Sequence, residues 1–208
     1  MSLGLIIEGI PLTGKSTLLR GLEKSRNLQE LSSSKLIYHE ELTQRVLEKD
    51  YNKGFLDKTS HINFLMDITT HLEKQAKLLN RRGFADDHLA FILERFHITH
   101  AAYYPYISLT DISPIDDILA SLNTKIVLLT VNRDNFRNRL RERQNTKFIH
   151  YIKRYGSDIE TILDHYMKSQ EHYIDLVSQS KLSVEIIDSN LYSPKEVLEK
   201  TLAFWLQA

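Results

Sequence analysis

The chain has 208 residues, of which 42% are hydrophobic and 26% are charged, a composition that fits one globular domain with its own core. Its 27 lysines and arginines match 27 aspartates and glutamates, so no net basic field favours nucleic acid or an anionic membrane. The absence of cysteine excludes disulfides and thiolate metal sites.

No run of roughly eighteen apolar residues, the length that spans a bilayer, occurs in the chain. The first residues also lack the basic and apolar pattern of a secretory signal. We therefore expect a soluble, cytoplasmic protein whose residues 1–208 form a single domain.

Short apolar runs alternate with longer segments of helical periodicity. Five runs predict strands, at residues 3–8, 36–38, 89–93, 126–131 and 184–187. Three segments between them predict helices, at residues 16–24, 63–79 and 134–143. The alternation favours an α/β fold of three layers, in which helices flank a five-stranded parallel sheet. Ligands of such a sheet bind at the carboxyl ends of its strands.

The first predicted turn carries a phosphate-binding pattern. It matches G-x-x-x-x-G-K-[ST] with Gly9, Ile10, Pro11, Leu12, Thr13, Gly14, Lys15 and Ser16. Backbone N–H groups of such a loop surround phosphate oxygens, together with the positive end of the following helix. We expect Lys15 to contact the β- and γ-phosphates of ATP, Ser16 to bind Mg²⁺ and Thr17 to support the loop. The alternative is a glycine turn before a helix, without a ligand.

Three further segments follow the loop. They are residues 92–97 with Ala101, Ala102 and Tyr103 behind them, residues 129–143, and residues 173–176 with Ile186, Ile187, Asp188 and Ser189. With the loop, they resemble the thymidylate kinase and deoxynucleoside kinase superfamily over most of the chain. The resemblance implies a P-loop kinase fold with a helical lid at about residues 137–160. It also implies transfer of a phosphoryl group from ATP to a nucleoside or a nucleoside monophosphate.

Acidic residues at two predicted strand ends are candidates for catalysis. The resemblance implies that Glu94 supports Mg²⁺ and that Arg95 contacts the acceptor or the migrating phosphoryl group. A surface salt bridge is the alternative for this pair. Glu40 follows the second strand, where deoxynucleoside kinases have the base that takes the acceptor's proton. Glu40 and Glu41 at a helix start would also favour the helix dipole, so a structural role stays open.

Arginines follow the fourth predicted strand. Arg139 and Arg143 are four residues apart and share one helical face, whereas Arg137 and Arg141 share another. The resemblance implies that Arg139 and Arg143 reach the phosphates from the lid. A solvated charge stripe, paired with neighbouring acids, is the alternative.

Other residues bear on the donor and the acceptor. The resemblance places Asp188 near the adenine of ATP. Ile68 stands where thymidylate kinases have the arginine that binds the acceptor's phosphate, which favours the neutral hydroxyl of a nucleoside. The lid has N-T-K-F at residues 145–148 in place of the family's D-R-F-E.

Aromatic residues near the third strand allow two interpretations. Tyr103, Tyr104 and Tyr106 are suited either to stacking on a base or to packing at the edge of the core. His97 and His100 are expected to line or flank the acceptor cleft. The histidines lack the spacing of a transition-metal site.

The expected partner is a small-molecule acceptor, with no nucleic acid and no membrane, and a homodimer is left open. Two other functions are compatible with the loop. One is a kinase of another small alcohol, such as an antibiotic or a cofactor precursor. The other is a P-loop ATPase or switch that regulates a partner.

Overall fold

Five parallel strands form the centre of the fold. The computed structural model describes residues 2–31, 34–81, 89–143 and 146–207. The strands are β1 (Ser2–Glu8), β2 (Ser34–Tyr38), β3 (Leu89–Glu94), β4 (Thr124–Thr130) and β5 (Ser183–Asp188). They form one sheet in the order β2-β3-β1-β4-β5, with every neighbouring pair parallel. All five predicted strands are confirmed, with small differences at their ends.

Helices connect the strands. They are α1 (Lys15–Lys24), α2 (Arg26–Leu31), α3 (Glu40–Thr43), α4 (Arg45–Asn52), α5 (Lys58–Arg81), α6 (His97–Tyr103), α7 (Leu109–Ser121), α8 (Arg133–Glu142), α9 (Thr146–Ile152), α10 (Ile159–Ser178) and α11 (Pro194–Leu206), with a 3₁₀ turn at Lys153–Tyr155. No helix in these ranges combines the length and the apolar character needed to cross a membrane.

The three predicted helices are confirmed as α1, α5 and α8. Helix α5 begins earlier than the apolar periodicity indicates, because Asp57 caps it. The Asp57 carboxylate accepts hydrogen bonds from the backbone N–H of Ser60 at 2.9 Å and from its hydroxyl at 2.8 Å. Beyond the end of α5, Arg82 and Gly83 lie outside the described residues.

Side chains of the central strand alternate between two apolar layers. Leu5 and Ile7 pack with residues of α1 and α11, including Leu22 and the fully buried Trp205. Ile6 points to the opposite face and packs with α5, α6, α7 and α10. Burial on both faces gives the hydrophobic runs typical of parallel strands. The protein therefore has the predicted three-layer α/β architecture.

The carboxyl ends of β1 and β3 lie side by side. Ile7 is in register with Glu94, and the backbone N–H of Arg95 donates to the carbonyl oxygen of Ile7 at 3.0 Å. This pairing places the turn after β3 beside the loop that follows β1. The two segments with the strongest sequence patterns therefore meet at one edge of the sheet.

Gly4 lies where β1 approaches its neighbours most closely. A Cβ atom at this position would lie 2.3 Å from Cζ of Phe91 and 2.5 Å from Oγ1 of Thr124. Gly21 of α1 is less crowded, since its Cβ would lie 3.3 Å from Cδ2 of Leu198. The flexible end of that leucine can move, whereas the Phe91 ring lies in the packed core.

Gly4→Ala should lower the free energy of unfolding by about 1–3 kcal/mol, the usual cost of overpacking a core. Gly21→Ala is the matched control, because alanine favours a helix by about 1 kcal/mol over glycine and offsets its milder contact. Urea unfolding of both variants measures the difference. Equal stability of Gly4→Ala and the parent protein would contradict the close approach.

Candidate functional site

The loop after β1 folds into a tight turn that leads into α1. Gly9 has φ of 137° and Gly14 has φ of 100°, both in the left-handed region that favours glycine. A Cβ atom on Gly9 would lie 2.4 Å from the carbonyl oxygen of Leu129. Gly14 is the residue before α1, so the positive end of that helix faces the loop. The strand, loop and helix context predicted for the pattern is confirmed.

The predicted loop residues divide between surface and interior. Pro11, Leu12, Gly14, Lys15, Ser16 and Thr17 line the larger of the two cavities described below. Ile10 and Thr13 are buried, and the Thr13 hydroxyl donates to the carbonyl oxygen of Ile10 at 3.0 Å. Gly9 and Ile10 therefore contribute to the conformation of the turn and do not line the larger cavity.

The ammonium group of Lys15 is held at the centre of the loop. Its Nζ donates to the carbonyl oxygen of Ile10 at 2.7 Å, and the residue is only 5% exposed. Burial and the Arg95 guanidinium lower the pKa of Lys15 well below its usual value, while Glu40 and Glu94 act in the opposite direction. Additional negative charge at the loop would therefore stabilise the ammonium form.

Glu94 connects the starts of two helices. The Ser16 hydroxyl donates to Oε1 of Glu94 at 3.1 Å, and the backbone N–H of Glu40 donates to Oε2 at 3.4 Å. Glu94 is the last residue of β3 and is buried. The structure thus brings together the two residues predicted to hold Mg²⁺.

Glu40 faces Arg95 and Arg45. Arg95 Nε lies 3.0 Å from Oε2 of Glu40, and Arg45 pairs with Oε1. Partial burial favours a higher pKa for Glu40, but Arg95, Arg45 and Lys15 outweigh it and lower the pKa. Glu41 next to it is exposed. Of the two adjacent acids, Glu40 is therefore the one at the cavity, and it is ionised at neutral pH.

Glu8 holds the turn that carries Arg95, a role that the sequence does not predict. Its fully buried carboxylate accepts hydrogen bonds from the backbone N–H groups of Phe96 at 3.0 Å and Thr99 at 3.3 Å, and from the Thr99 hydroxyl. Burial raises the pKa of Glu8, and these hydrogen bonds oppose the shift. Arg95 itself has φ of 55°, a conformation that is uncommon outside glycine.

The larger cavity, of about 770 Å³, is strongly cationic. Its charged lining residues are Lys15, Arg20, Glu40, Arg45, Glu48, Arg95, Arg139 and Arg143. Gln44, Phe148 and Tyr151 complete the side away from the loop. Six cationic side chains against two carboxylates give this cavity an excess of positive charge, which favours anionic ligands. Sequence patterns had indicated only part of this lining, since Arg20, Arg45 and Glu48 belong to no motif.

A smaller cavity of about 400 Å³ lies on the other side of Arg139. Leu18, Leu129, Val197 and Tyr192 line it. Its apolar and aromatic walls suit a planar ring.

Asp188, which the resemblance places near the adenine, does not line this cavity, whereas the next residue, Ser189, does. The Asp188 carboxylate accepts a hydrogen bond from the backbone N–H of Asn190 at 2.9 Å. It stabilises the turn after β5, as aspartate commonly does in turns.

Arg139 joins the loop after β1 to the end of β5. Its Nη1 donates to the carbonyl oxygen of Leu12 and to the hydroxyl of Ser189, both at 2.9 Å, and Nη2 donates to the Ser189 carbonyl at 2.9 Å. Arg137 lies on the opposite face and pairs with Asp134 at 2.8 Å and Glu160 at 3.0 Å. The ion pairs with neighbouring acids, which were the alternative role for Arg139, are therefore formed by Arg137.

Arg143 directly follows α8 and lines the larger cavity. Its guanidinium lies over the Phe148 ring, 4.4 Å from the ring centre. Arg143 and Arg139 reach the same cavity, but they do so from different parts of the backbone.

The predicted lid, residues 137–160, comprises most of α8, all of α9, the 3₁₀ turn and the start of α10. Residues 144 and 145 of it lie outside the described residues. Helix α9 is fastened to α6, because the hydroxyls of Tyr151 and Tyr155 hydrogen-bond with that of Tyr103. Arg154 lies 3.7 Å from the centre of the Tyr151 ring and 3.7 Å from Glu48 of α4. The segment therefore covers the larger cavity from α6 to α4.

His97 and His100, which were expected to line or flank the acceptor cleft, are not among the residues that line the larger cavity. His97 is fully buried, and its Nε2 lies 2.7 Å from Oδ1 of Asp116 in the core between α6 and α7. His100 is also fully buried and lies behind α3, with Nε2 at 2.7 Å from the carbonyl oxygen of Thr43. Its Nδ1 contacts Nε2 of His61. Both histidines are therefore buried with hydrogen-bond partners from other elements, and a local sequence pattern does not reveal such partners.

The tyrosines do not form a platform for a base. Tyr104 is 1% exposed and packs edge-to-face against Tyr51 at 4.7 Å and His61 at 4.5 Å. Tyr106 bonds with His61, and Tyr103 bonds with lid residues. The interpretation as packing at the core edge is therefore the correct one.

Comparison with known proteins yields a likeness in fold. No protein-family model matches the chain, and no curated protein sequence matches it. Among solved structures, the YorR protein of Bacillus subtilis, in complex with phosphorylated GDP, is similar with a TM-score of 0.59. The two share 18% sequence identity, over 98% of this chain and 95% of that one. The chain thus shares its α/β fold with YorR.

Acidification should destabilise the protein through His61 and His100. Burial lowers their pKa values in the folded state to about 4 and about 3, and the proximity of His61 adds to the shift of His100. The unfolded chain therefore takes up these protons first, below about pH 6.5. The stability that the neutral rings contribute is complete above this pH and is lost progressively as pH falls from 6.5 to 4.

Urea unfolding at intervals between pH 7.5 and 4.5 measures this loss, to which each histidine contributes up to about 1.4 kcal/mol per pH unit. The double variant with His61→Phe and His100→Phe should have lower stability at neutral pH but a shallower pH dependence. Equal slopes for the two proteins would contradict the assignment.

Proposed function

We propose that the protein is a phosphotransferase that moves the γ-phosphoryl group of ATP either to the hydroxyl of a nucleoside or to the phosphate of a nucleoside monophosphate, in the manner of deoxynucleoside and thymidylate kinases. One observation carries the proposal. A continuous set of contacts links Ser16, which directly follows Lys15 in the loop, through Glu94 to Glu40 and Arg95 at the larger cavity. Donor and acceptor groups thus meet at one edge of the sheet.

The donor side fits ATP. Backbone N–H groups of the loop, the N-terminus of α1 and the Lys15 ammonium are the usual partners of β- and γ-phosphates. Ser16 and Glu94 would hold Mg²⁺, a cation that prefers oxygen ligands and would neutralise charge on the phosphates. The smaller cavity, with Leu129 and Tyr192 in its wall, is suited to adenine. The similar fold of YorR, whose structure contains phosphorylated GDP, supports a nucleotide ligand.

The acceptor side favours a hydroxyl. Glu40 is ionised, the state in which a carboxylate accepts a proton. Phosphoryl transfer through a loose transition state requires this proton transfer only late, so a weakly basic carboxylate suffices. Ile68 packs against the apolar core, and an isoleucine there cannot bind the acceptor's phosphate. We therefore favour a nucleoside over its monophosphate as the acceptor.

A second candidate is transfer to another small alcohol. Tyr103, Tyr104 and Tyr106 are engaged in packing and hydrogen bonds, so the stacking surface expected for a nucleobase is absent from these three residues. Phe148 and Tyr151 of α9 are the aromatic residues that line the larger cavity. The choice of acceptor thus depends on the lid segment.

Release of ADP should depend on Mg²⁺, ATP and one acceptor from a panel of nucleosides, matched monophosphates and small alcohols. In Lys15→Ala we expect turnover to fall by about a hundredfold or more, since this charge faces the migrating phosphoryl group in a water-poor site. Circular dichroism and melting temperature establish that the variant is folded. Thermal stabilisation by nucleotide alone, without any productive acceptor, would indicate a switch.

Unchanged turnover in folded Lys15→Ala would end the phosphotransferase proposal. Faster turnover on a monophosphate than on its parent nucleoside would overturn the preference for a nucleoside. Activity confined to small alcohols would favour the second candidate.

The two cavity arginines should have separable effects. Arg139 bonds to the backbone of the loop and of residue 189, so Arg139→Ala should raise KM for ATP more than it lowers kcat. Arg143 lines the larger cavity, and Arg143→Ala should lower kcat by about tenfold or more, because contacts that strengthen in the transition state act on kcat. Arg137→Ala is the matched control, since Arg137 pairs with Asp134 and Glu160. Steady-state kinetics of the three variants decide the assignment, and wild-type kcat in Arg143→Ala would contradict it.

A further inference from the structure

A chain of hydrogen bonds runs behind the larger cavity from Tyr106 through His61 and His100 to Thr43; we call it the histidine chain. The Tyr106 hydroxyl lies 2.9 Å from Nδ1 of His61, whose Nε2 contacts Nδ1 of His100. Nε2 of His100 lies 2.7 Å from the carbonyl oxygen of Thr43. Both histidines are fully buried. The histidine chain joins α5 and α6 to the short helix α3.

The chemistry of its ends sets the direction of these bonds. A carbonyl oxygen can only accept, so Nε2 of His100 must carry a proton and donate it to Thr43. Nδ1 of His100 then accepts from Nε2–H of His61, and Nδ1 of His61 accepts from the Tyr106 hydroxyl. This direction applies to neutral rings that both carry the proton on Nε2, and burial favours the neutral state because it lowers the pKa of each histidine.

Aromatic rings enclose the histidine chain. Tyr104 lies edge-to-face against His61 at 4.5 Å and nearly parallel to His100 at 5.5 Å. Tyr51 of α4 packs on the other side of Tyr104 at 4.7 Å. Tight packing keeps the imidazoles from rotating and protects their hydrogen bonds from water.

Thr43 links the histidine chain to the backbone at the end of β3. It is fully buried, and its hydroxyl donates to the carbonyl oxygen of Glu94 while its own carbonyl accepts from His100. Helix α3 has only four residues, too few to be stable without tertiary contacts. Glu40 is its first residue. The position of the Glu40 carboxylate therefore depends on what holds Thr43, one turn further along.

We propose that His61 and His100 are positioning residues for the proposed phosphotransfer reaction, which fix Thr43 so that α3 presents Glu40 to the cavity. The inference rests on the proposed function for the role of Glu40. His61 and His100 lie behind α3 and act through Thr43. Their loss should therefore affect the proton-accepting group and leave the ATP side unchanged.

Kinetics of His100→Phe test the inference against a matched control. The substitution keeps a buried ring and removes both hydrogen bonds, and we expect kcat to fall by about tenfold or more with KM for ATP within about twofold. His97→Phe is the control, because it also removes a buried histidine bond from α6, but that bond leads to Asp116 on α7. The His97→Phe variant should have a lower melting temperature, but its kcat should stay within about twofold of that of the parent protein.

Two milder variants complete the series. His100→Gln retains an N–H group that can reach the Thr43 carbonyl, so it should recover part of kcat relative to His100→Phe. Tyr106→Phe removes only the outermost donor and should cause a smaller fall in kcat, which keeps the test valid if His100→Phe does not fold. Equal loss of kcat in His97→Phe and His100→Phe, or no loss along the series, would overturn the inference.

Hydrogen exchange separates this inference from the proposed function. Backbone amides of residues 40–44 should exchange faster in His100→Phe than in the parent protein, and at the parent rate in His97→Phe. If the parent protein releases no ADP with any acceptor, the proposed function fails, and exchange still decides whether the histidine chain holds α3. Unchanged exchange in His100→Phe would overturn the positioning role in either case.

Discussion

The buried ammonium of Lys15 is the charge around which the site is arranged. A cation that leaves water must be met by hydrogen-bond acceptors or by negative charge. Here the Ile10 carbonyl accepts from it, and Glu8, Glu40 and Glu94 act on it electrostatically. A bound anion would add to this compensation, because the described lining of the cavity has an excess of positive charge. The burial of Lys15 therefore favours negative charge beside it.

The parallel sheet explains how carboxylates from distant segments reach one ammonium. In a parallel sheet all carboxyl ends face the same edge, and the order β2-β3-β1-β4-β5 places β1 beside β3. Glu8 ends β1 and Glu94 ends β3, while Glu40 follows β2. Each then takes a different task through its neighbours. Glu8 supports the turn of Arg95, Glu94 joins Ser16 to α3, and Glu40 faces the cavity.

Two of the helices at the larger cavity, α3 and α9, are short, and side-chain contacts with neighbouring elements hold them in place. Helix α3 depends on the hydroxyl and carbonyl of Thr43, and helix α9 depends on the contact of Tyr151 with Tyr103. Arg139 holds the loop after β1 against the end of β5. Isolated segments of this length are marginally stable, so contacts with neighbouring elements are needed to hold them in place. The site is therefore defined by side-chain contacts that cross between elements.

The sequence by itself determined the architecture and the position of the glycine-rich loop, because both depend on contiguous residues. Apolar runs predicted five strands, and Gly9, Gly14 and Lys15 appear at fixed spacing within one turn. Only the tertiary structure decided which of Glu40 and Glu41 faces the larger cavity, and that Ser189, and not Asp188, lines the smaller one. These outcomes depend on contacts between residues far apart in the chain, such as that of Arg139 with the carbonyl of Leu12, and no local pattern encodes such a contact.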